Sequence, residues 1–339
     1  MILKEPGAYM RAEIYEQPEV VERTLRESLG DVRRALDYLS TSFIYVTGSG
    51  SSFHASLVLS RALMRIAGIR STAIQASELP EWIPHDVRDS ALIALSQSGE
   101  SKDVLIAVET FRRISSGSPV IAITNTPKST LHEISDASIL TRAGEERAIA
   151  ATKTYTTQLA ASFLLATELA DARGRDVREL RDELIRVPNL MRDMLAYVMF
   201  FVKAWADRLK DREFGFILGR GPNYPTALES ALKLRETANL HYVGYSAREF
   251  LHGPIQLVAE GTPVILIGGS GLEDVIQRIR ALGGELIRVD PGGEVPIAEV
   301  SYELSPIVAV VPMQLLSLEV SLLRGLDPDK PEKLTKVVK

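Results

Sequence analysis

The chain has 339 residues, 45% hydrophobic and 24% charged, with a formal net charge of −5 and no cysteine. This length suits two domains of roughly 150 residues, and the composition excludes a disordered chain. The acidic balance gives no basic nucleic-acid surface, and the lack of cysteine excludes disulfides and thiolate zinc sites.

The amino-terminal residues have no apolar core behind a basic stretch, so we expect no signal peptide. No run of about 18 uninterrupted apolar residues occurs, so we expect no membrane span and no membrane partner. The sequence therefore favours a cytoplasmic protein.

The first predicted element is an amino-terminal helical segment over residues 1–40, where apolar residues recur at helical spacing and Pro18 starts a new helix. Strands and helices then alternate up to residue 141. The predicted strands are 43–46, 72–75, 91–95, 119–124 and 137–141, and the helices between them include 55–66 and 103–114. Long helices are predicted over 151–172 and 175–209, with a break at Pro188.

A second alternation begins at Phe214. It contains predicted strands at 216–218, 264–267, 285–289 and 307–311, and predicted helices at 224–240, 272–282 and 313–323. Strands alternating with helices predict an α/β fold of parallel βαβ units. We place the domains at 41–172 and 211–326, joined by a linking helix at 173–210 and followed by a tail at 327–339.

The two alternations resemble one unit repeated. Gly48 and Gly219 each start a G-x-G turn after a strand, and an aromatic residue (Phe53 or Tyr224) follows the second glycine by three positions. The offset is 219 − 48 = 171, about half the chain. Duplication is the simplest interpretation, although any two strand-to-helix turns share some likeness.

The segment from Ser96 to Ser101 (SQSGES) places hydroxyls and an amide at the end of a predicted strand and the start of a helix. Ligands bind at that edge of open α/β sheets, and unpaired N–H groups at a helix start attract phosphate. The alternative is simple capping of the helix by Ser98 or Ser101.

Two further turns are polar in the same half. The turn from Gly48 to Ser52 is neither a Walker loop nor a dinucleotide fingerprint, because the Gly-Lys-Ser/Thr sequence and the third glycine are missing. Residues 124–130 form a third polar strand end. Together the three turns predict one shared polar pocket.

The second half contains ionisable groups at helical spacing. Glu229, Lys233 and Glu236 share one helix face at i, i+4 and i+7, which fits either a catalytic group or a solvated salt-bridge stripe. His252 precedes a Gly-Pro turn and is either structural or a proton-transfer group. The five histidines show no spacing typical of metal ligands, so no metal is predicted.

Five segments together resemble the sugar isomerase (SIS) family, in particular the isomerase half of glucosamine-6-phosphate synthase and stand-alone glucosamine-6-phosphate deaminases. They are SQSGE from Ser96, ATKTYTTQ from Ala151, ALKLRE from Ala231, EFLHGP from Glu249, and DPDKPEKLTK from Asp327. The resemblance covers nearly the whole chain. It implies two tandem doubly wound, flavodoxin-like domains of three αβα layers, and no cofactor.

The resemblance also implies roles for individual residues. Glu236 would move a proton between C1 and C2, with Lys233 beside it, and His252 would open the sugar ring from a neighbouring subunit of a homodimer. Lys336 would contact the open-chain sugar and form an imine with its carbonyl. The implied substrate and phosphate ligands are Ser51, Ser52, Ser96, Gln97, Ser98, Ser101, Thr126 and Thr335. Position 101 is threonine in the synthase, so this chain keeps the hydroxyl but not the methyl group.

The resemblance leaves several activities open. The synthase needs a glutaminase domain with a catalytic cysteine, and we expect this chain to lack that route to ammonia because it has no cysteine. Because stand-alone two-module members with this tail resemble deaminases, we expect deamination and isomerisation of glucosamine 6-phosphate to fructose 6-phosphate and ammonia. The alternatives are the reverse reaction with free or partner-supplied ammonia, aldose–ketose isomerisation without nitrogen, and a non-catalytic phosphosugar sensor.

Overall fold

The computed structural model describes residues 5–85, 87–115 and 117–336. Residues 1–4 of the predicted amino-terminal segment and 337–339 of the predicted tail lie outside the described residues. The chain divides into two compact units. The first unit contains residues 17–146, 153–188 and those from 335 on, and the second contains residues up to 16, 147–152 and 189–334.

Each unit is built on one parallel sheet of five strands. The first sheet has the order β2-β1-β3-β4-β5 and the second has β10-β9-β8-β6-β7. The strands are β1 (Phe43–Gly48), β2 (Arg70–Gln75), β3 (Ser90–Ser96), β4 (Val120–Thr124), β5 (Ala137–Leu140), β6 (Phe214–Gly219), β7 (His241–Ser246), β8 (Pro263–Ile267), β9 (Glu285–Asp290) and β10 (Val295–Pro296).

Helices connect and flank the strands. The α-helices of the described residues are α1 (Ala8–Tyr15), α2 (Gln17–Glu27), α3 (Leu29–Leu36), α4 (Ser51–Ala62), α5 (Leu79–Trp82), α6 (Lys102–Ile114), α7 (Thr130–Ile134), α8 (Lys153–Ala172), α9 (Arg178–Leu209), α10 (Asn223–Ala238), α11 (Glu273–Ala281) and α12 (Ser305–Leu323). The predicted α/β class, with two parallel sheets and flanking helices, is confirmed.

The central strands have the composition of strands that are covered by helices on both faces of the sheet. Every residue of β3, β4 and β8 is buried, and these strands read as continuous apolar runs rather than alternating ones. Such runs are typical of parallel strands with helices on both sides. In the second unit the rings of Phe216 and Phe250 pack edge to face at 4.7 Å within its core.

Two predictions about elements are wrong, and other elements were missed. Residues 307–311, predicted as a strand, are part of α12, because a short apolar run does not distinguish a buried strand from a buried helix. Strand β7 was not predicted. Helix α9 continues through Pro188, since proline removes one backbone donor without forcing the chain to leave the helix here.

Helix α12 is apolar on all sides. The helix is long enough to cross a membrane, and its most apolar stretch has a mean hydropathy of 1.8. However, 89% of that stretch is buried inside the protein. It packs against α10, where the Ser321 hydroxyl donates to the carbonyl of Thr237 at 2.7 Å. A helix that is hydrophobic all round is expected at such a buried position.

Candidate active site

Three polar turns of the first unit meet at the carboxyl edge of its sheet. Strands β1, β3 and β4 are neighbours, with Thr47 opposite Ala94 and Ser96 opposite Thr124. The turns that follow these strands contain the predicted phosphate ligands Ser51, Ser52, Ser96, Gln97, Ser98, Ser101 and Thr126. The structure therefore brings these residues to one edge of the sheet. We call the three turns that contain them, which follow β1, β3 and β4, the serine turns.

Hydrogen bonds join the turns after β3 and β4. The carbonyl of Gln97 accepts bonds from the Asn125 amide at 3.1 Å and from the Thr126 hydroxyl at 3.2 Å. The Ser96 hydroxyl accepts a bond from the amide of Gly99 at 3.1 Å. These bonds fix the shape of the two turns relative to each other.

Gly99 is required by the shape of the turn. Its φ is +68°, and a Cβ atom at this position would lie 2.1 Å from the Ser129 hydroxyl oxygen. Only glycine tolerates both the left-handed backbone and this close approach.

Simple helix capping does not account for the serines at the start of α6. Ser101 is the N-cap residue, but its side chain makes no capping bond, and the Ser98 hydroxyl accepts instead from the Glu100 amide at 3.1 Å. The Ser101 hydroxyl thus remains available for an anion at this edge.

Ser52 accepts a hydrogen bond from a residue of α8 that was not predicted to belong to the site. The Gln158 side chain on α8 donates to the Ser52 hydroxyl at 3.0 Å, and both residues are buried. Gln158 belongs to the segment on which the resemblance rests, but its type alone gave no reason to assign it a role.

Lys336 is paired with a buried carboxylate in the first unit. Its ammonium lies 2.6 Å from the Glu146 carboxylate, whose side chain is fully buried, while Lys336 keeps 27% of its side chain exposed. Thr154 donates to the same carboxylate through its amide at 3.1 Å and its hydroxyl at 2.7 Å. Glu146 was not predicted, and Thr335, just before the lysine, is exposed.

In the second unit, α10 holds a buried charged cluster. The Lys233 ammonium bonds to the Glu236 carboxylate and lies 3.5 Å from that of Glu229. The side chains of Lys233 and Glu229 are 1% and 0% exposed, whereas that of Glu236 is 22% exposed. This burial contradicts the solvated salt-bridge stripe and leaves Glu236 as the carboxylate that solvent can reach.

His252 lies on a different element from this cluster. It is exposed at the end of the 3-10 turn Glu249–His252, and no contact with Lys233 or Glu236 is recorded among the described residues. The same part of the chain holds no group of three or more His, Asp or Glu side chains placed to bind a metal ion.

The family model described as "SIS domain" matches residues 40–168 and 209–322. The chain is 36% identical to glutamine--fructose-6-phosphate aminotransferase [isomerizing] of Pyrococcus horikoshii, with 99% of this chain and 59% of the relative aligned. It is 39% identical to the protein of the same name from Pyrobaculum aerophilum, covering 97% of this chain and 57% of the relative. The chain thus spans somewhat more than half of these relatives.

Two solved structures are also similar. The C-terminal domain of glucosamine-fructose-6-phosphate aminotransferase from Francisella tularensis superposes with a TM-score of 0.87 and 30% identity, covering 95% of this chain and 98% of that one. Glucosamine-6-phosphate deaminase from Thermotoga maritima gives a TM-score of 0.81 and 25% identity, with 98% and 99% covered.

Proposed function

The chain belongs to the SIS domain family, and from this membership we propose that it is a phosphosugar enzyme converting glucosamine 6-phosphate and water into fructose 6-phosphate and ammonia. Relatives named as aminotransferases and a deaminase support an enzyme of the phosphosugar isomerase kind. The direction and the substrate are part of the proposal.

The buried cluster on α10 is the observation on which the chemistry depends. A carboxylate that is partly exposed and bonded to a buried ammonium is suited to take a proton from carbon and return it to the neighbouring carbon. We assign this role to Glu236. It removes the proton from C2 of the open-chain aminosugar and delivers it to C1, which leaves an imine at C2.

Lys336 is the proposed nucleophile for the second half of the reaction. When the Glu146 carboxylate accepts its proton, the amine attacks the C2 imine and releases ammonia, forming a new imine with the lysine. Water then hydrolyses that imine to the ketose and regenerates Lys336. Glu146 thus has a positioning role and a proton-holding role.

The serine turns are the proposed phosphate site. Hydroxyls of Ser52, Ser98 and Ser101, and the backbone around them, offer donors to the three phosphate oxygens at the edge where ligands bind in this fold. We keep Ser51, Ser96, Gln97, Thr126 and Thr335 in the same proposal as neighbouring substrate contacts.

We assign ring opening to His252 of a second copy in a homodimer. An exposed imidazole with no recorded contact to Glu236 of its own chain supports this assignment. Mixing an inactive His252→Ala chain with an inactive Glu236→Gln chain should restore part of the turnover if each site takes its histidine from the partner.

The direct test measures ammonia and ketose after incubation with glucosamine 6-phosphate in D2O. The wild-type protein should form both products and place deuterium at C1 in part of the product, because the proton held by the partly exposed Glu236 exchanges with D2O before transfer. Glu236→Gln should lower turnover by about 10² to 10⁴-fold, the usual contribution of a general base. Glu273→Gln, an exposed carboxylate on α11, is the control and should keep full turnover.

Two results would reject this function. Full turnover in Glu236→Gln would remove the proposed base, and tight phosphosugar binding without any ammonia or ketose would identify a sensor instead.

The reverse reaction is the second candidate. The two aminotransferase relatives are 36% and 39% identical to this chain, more than the deaminase structure at 25%. Formation of glucosamine 6-phosphate from fructose 6-phosphate and ammonium salt, faster than its breakdown at matched substrate levels, would favour synthesis.

A further inference from the structure

A cavity of about 650 Å³ opens at the carboxyl edge of the second sheet. Its lining includes Arg220, Ser270, Asp290, Ile297, Val300 and Tyr302, all in the second unit. Cavities of about 300–1,000 Å³ are typical of small-molecule sites. None of these residues has a role in the reaction proposed above.

The cavity lies where the topology of the sheet favours a ligand. In the order β10-β9-β8-β6-β7, the chain leaves β6 toward β7 on one side and resumes at β8 on the other. The crevice outside the adjacent carboxyl ends of β6 and β8 is the switch point at which ligands bind in such folds. The serine turns occupy the corresponding edge of the first sheet.

One side of the cavity is suited to an anion. The Arg220 guanidinium is exposed and makes a single bond, to the Gly271 carbonyl at 3.3 Å, and it has no ion-pair partner within the described ranges. Arg248 also reaches Gly271 but is paired with Asp274 at 2.8 Å. An arginine with unused donors favours phosphate or carboxylate oxygens.

Ser270 adds donors beside Arg220. No hydrogen bond to its amide or its hydroxyl is recorded in the described part of the chain, and the Gly269 amide is equally unused. Consecutive free amides in a glycine-rich turn bind anions, as the backbone of other phosphate sites does.

Asp290 supplies acceptors to the same cavity. One carboxylate oxygen accepts from the Gly292 amide at 3.0 Å, and no donor to the other oxygen is recorded for the residues described. That second oxygen lies 3.3 Å from the position a Cβ atom would take at Gly269, so it is close to the free amides of that turn. A carboxylate oxygen in this position suits the hydroxyl groups of a ligand.

The remaining wall is apolar. Ile297 and Val300 line it, and the Tyr302 hydroxyl donates to the Arg220 carbonyl at 3.2 Å, which fixes the ring next to the arginine. An apolar wall with a few convergent polar groups is the usual arrangement for a small ligand with a ring.

We propose that this cavity is a second binding site, separate from the proposed active site, for a phosphorylated polyhydroxy compound such as a hexose phosphate or a ribonucleotide. The phosphate binds at Arg220 and the turn around Ser270. Hydroxyl groups donate to Asp290, and the ring packs on Ile297, Val300 and Tyr302.

Calorimetric titration of the full chain carrying Glu236→Gln tests the site without consuming the ligand. Glucosamine 6-phosphate and uridine 5′-monophosphate are the two probes, and unphosphorylated glucosamine is the third arm. Two equivalents of glucosamine 6-phosphate per chain indicate a hexose phosphate site. One equivalent of each phosphorylated probe, bound without competition, indicates a ribonucleotide site.

Variants assign the second equivalent to this cavity. Adding Arg220→Gln, or Ser270→Asp on the exposed turn, should weaken it about tenfold or more, since a charge-assisted bond is lost or a like charge is added. Arg278→Gln on the exposed face of α11 is the matched control and should change neither equivalent. The proposal is overturned if the two phosphorylated probes compete for one equivalent in total per chain, or if a second equivalent binds unchanged in both variants.

Discussion

The hydrogen bond of Gln158 to Ser52, and not its residue type, indicates that Gln158 supports the serine turns. Its donation to the Ser52 hydroxyl at 3.0 Å orients that hydroxyl at the edge of the serine turns. Gln158→Leu should therefore raise KM for the proposed 6-phosphate substrate about tenfold while kcat changes less, because the bond that we propose between Ser52 and phosphate would be weakened. Steady-state kinetics with the wild type and the variant measure both parameters.

Ser162→Ala is the matched control for Gln158→Leu. Ser162 lies one turn further along α8 and is equally buried, and its hydroxyl makes no recorded hydrogen bond within the described residues. Equal kinetic changes in the two variants would show that general disturbance of α8, and not the bond to Ser52, is responsible.

The buried charges on α10 make the second prediction at this scale. Lys233→Met removes the ammonium that lies 3.5 Å from the fully buried Glu229 carboxylate, so we expect a loss of about 3–5 kcal/mol in the free energy of unfolding. Urea unfolding followed by circular dichroism measures it. Adding Glu229→Gln to Lys233→Met should recover part of this loss, and a double variant less stable than the single one would contradict the argument.

Resemblance to a known family identified most of the candidate site residues, whereas Glu146 and the burial of Glu229 were missed. Glu236, Lys233, Lys336 and the serines lie in segments that resemble a known family. Glu146 was missed, because a carboxylate followed by an arginine gives no sign that the fold encloses it against Lys336. The burial of Glu229 likewise results from tertiary packing around α10, including contact with α12, and could not be seen in the sequence.

At the scale of elements, the turn between β3 and α6 can be tested through Gly99. Gly99→Ala must take both a left-handed backbone and a contact of 2.1 Å with Ser129, so the turn should shift. We expect at least a tenfold loss of phosphosugar affinity, and backbone strain alone costs about 1–2 kcal/mol of stability. Calorimetry and thermal unfolding give the two values.

Gly117→Ala separates the two contributions. Gly117 also has a left-handed backbone, with φ +83°, but a Cβ atom there would meet nothing within 4 Å. It should lose a similar 1–2 kcal/mol, approximately, from backbone strain and keep full affinity. If Gly99→Ala also kept full affinity, the shape of this turn would not matter for phosphate binding.

Strands that end at a glycine or a polar turn were predicted well, whereas a buried apolar run without such an end was ambiguous. Strands β1, β3, β4, β8 and β9 follow from apolar runs that end at glycine or polar turns. Residues 307–311 are VAV-rich and apolar, and only tertiary packing makes them helix rather than strand. β7 (His241–Ser246) mixes polar, aromatic and glycine residues, so its sequence gave no period to recognise.

At the scale of the whole chain, the two ends of the second unit are tied together. Asp329 accepts bonds from the amides of Tyr9 at 2.9 Å and Met10 at 2.7 Å, in the first turn of α1, and Asp327 accepts from the amide of Gly7 at 3.1 Å. Asp329 thus caps a helix that lies about 320 positions away in sequence. Local helix signals near Gly7 could not reveal this cap.

Asp329→Ala should remove that cap. Loss of an N-terminal capping side chain costs about 0.5–2 kcal/mol, so the free energy of unfolding should fall by this amount. Glu332→Gln, an exposed change in the same tail, should leave it unchanged. Denaturant titration of both variants decides the point, and equal stability for Asp329→Ala and the wild type would show that the tail does not stabilise α1.

Helix α12 has a consequence for how the molecule is recovered after denaturation. This nineteen-residue helix contains a stretch of mean hydropathy 1.8, and it is buried because α10 and its neighbours pack around it. While the second unit is still incomplete, this segment is exposed to other chains and to any hydrophobic surface. Refolding yield should therefore fall as protein concentration rises, and a chaperone that shields apolar segments should restore it.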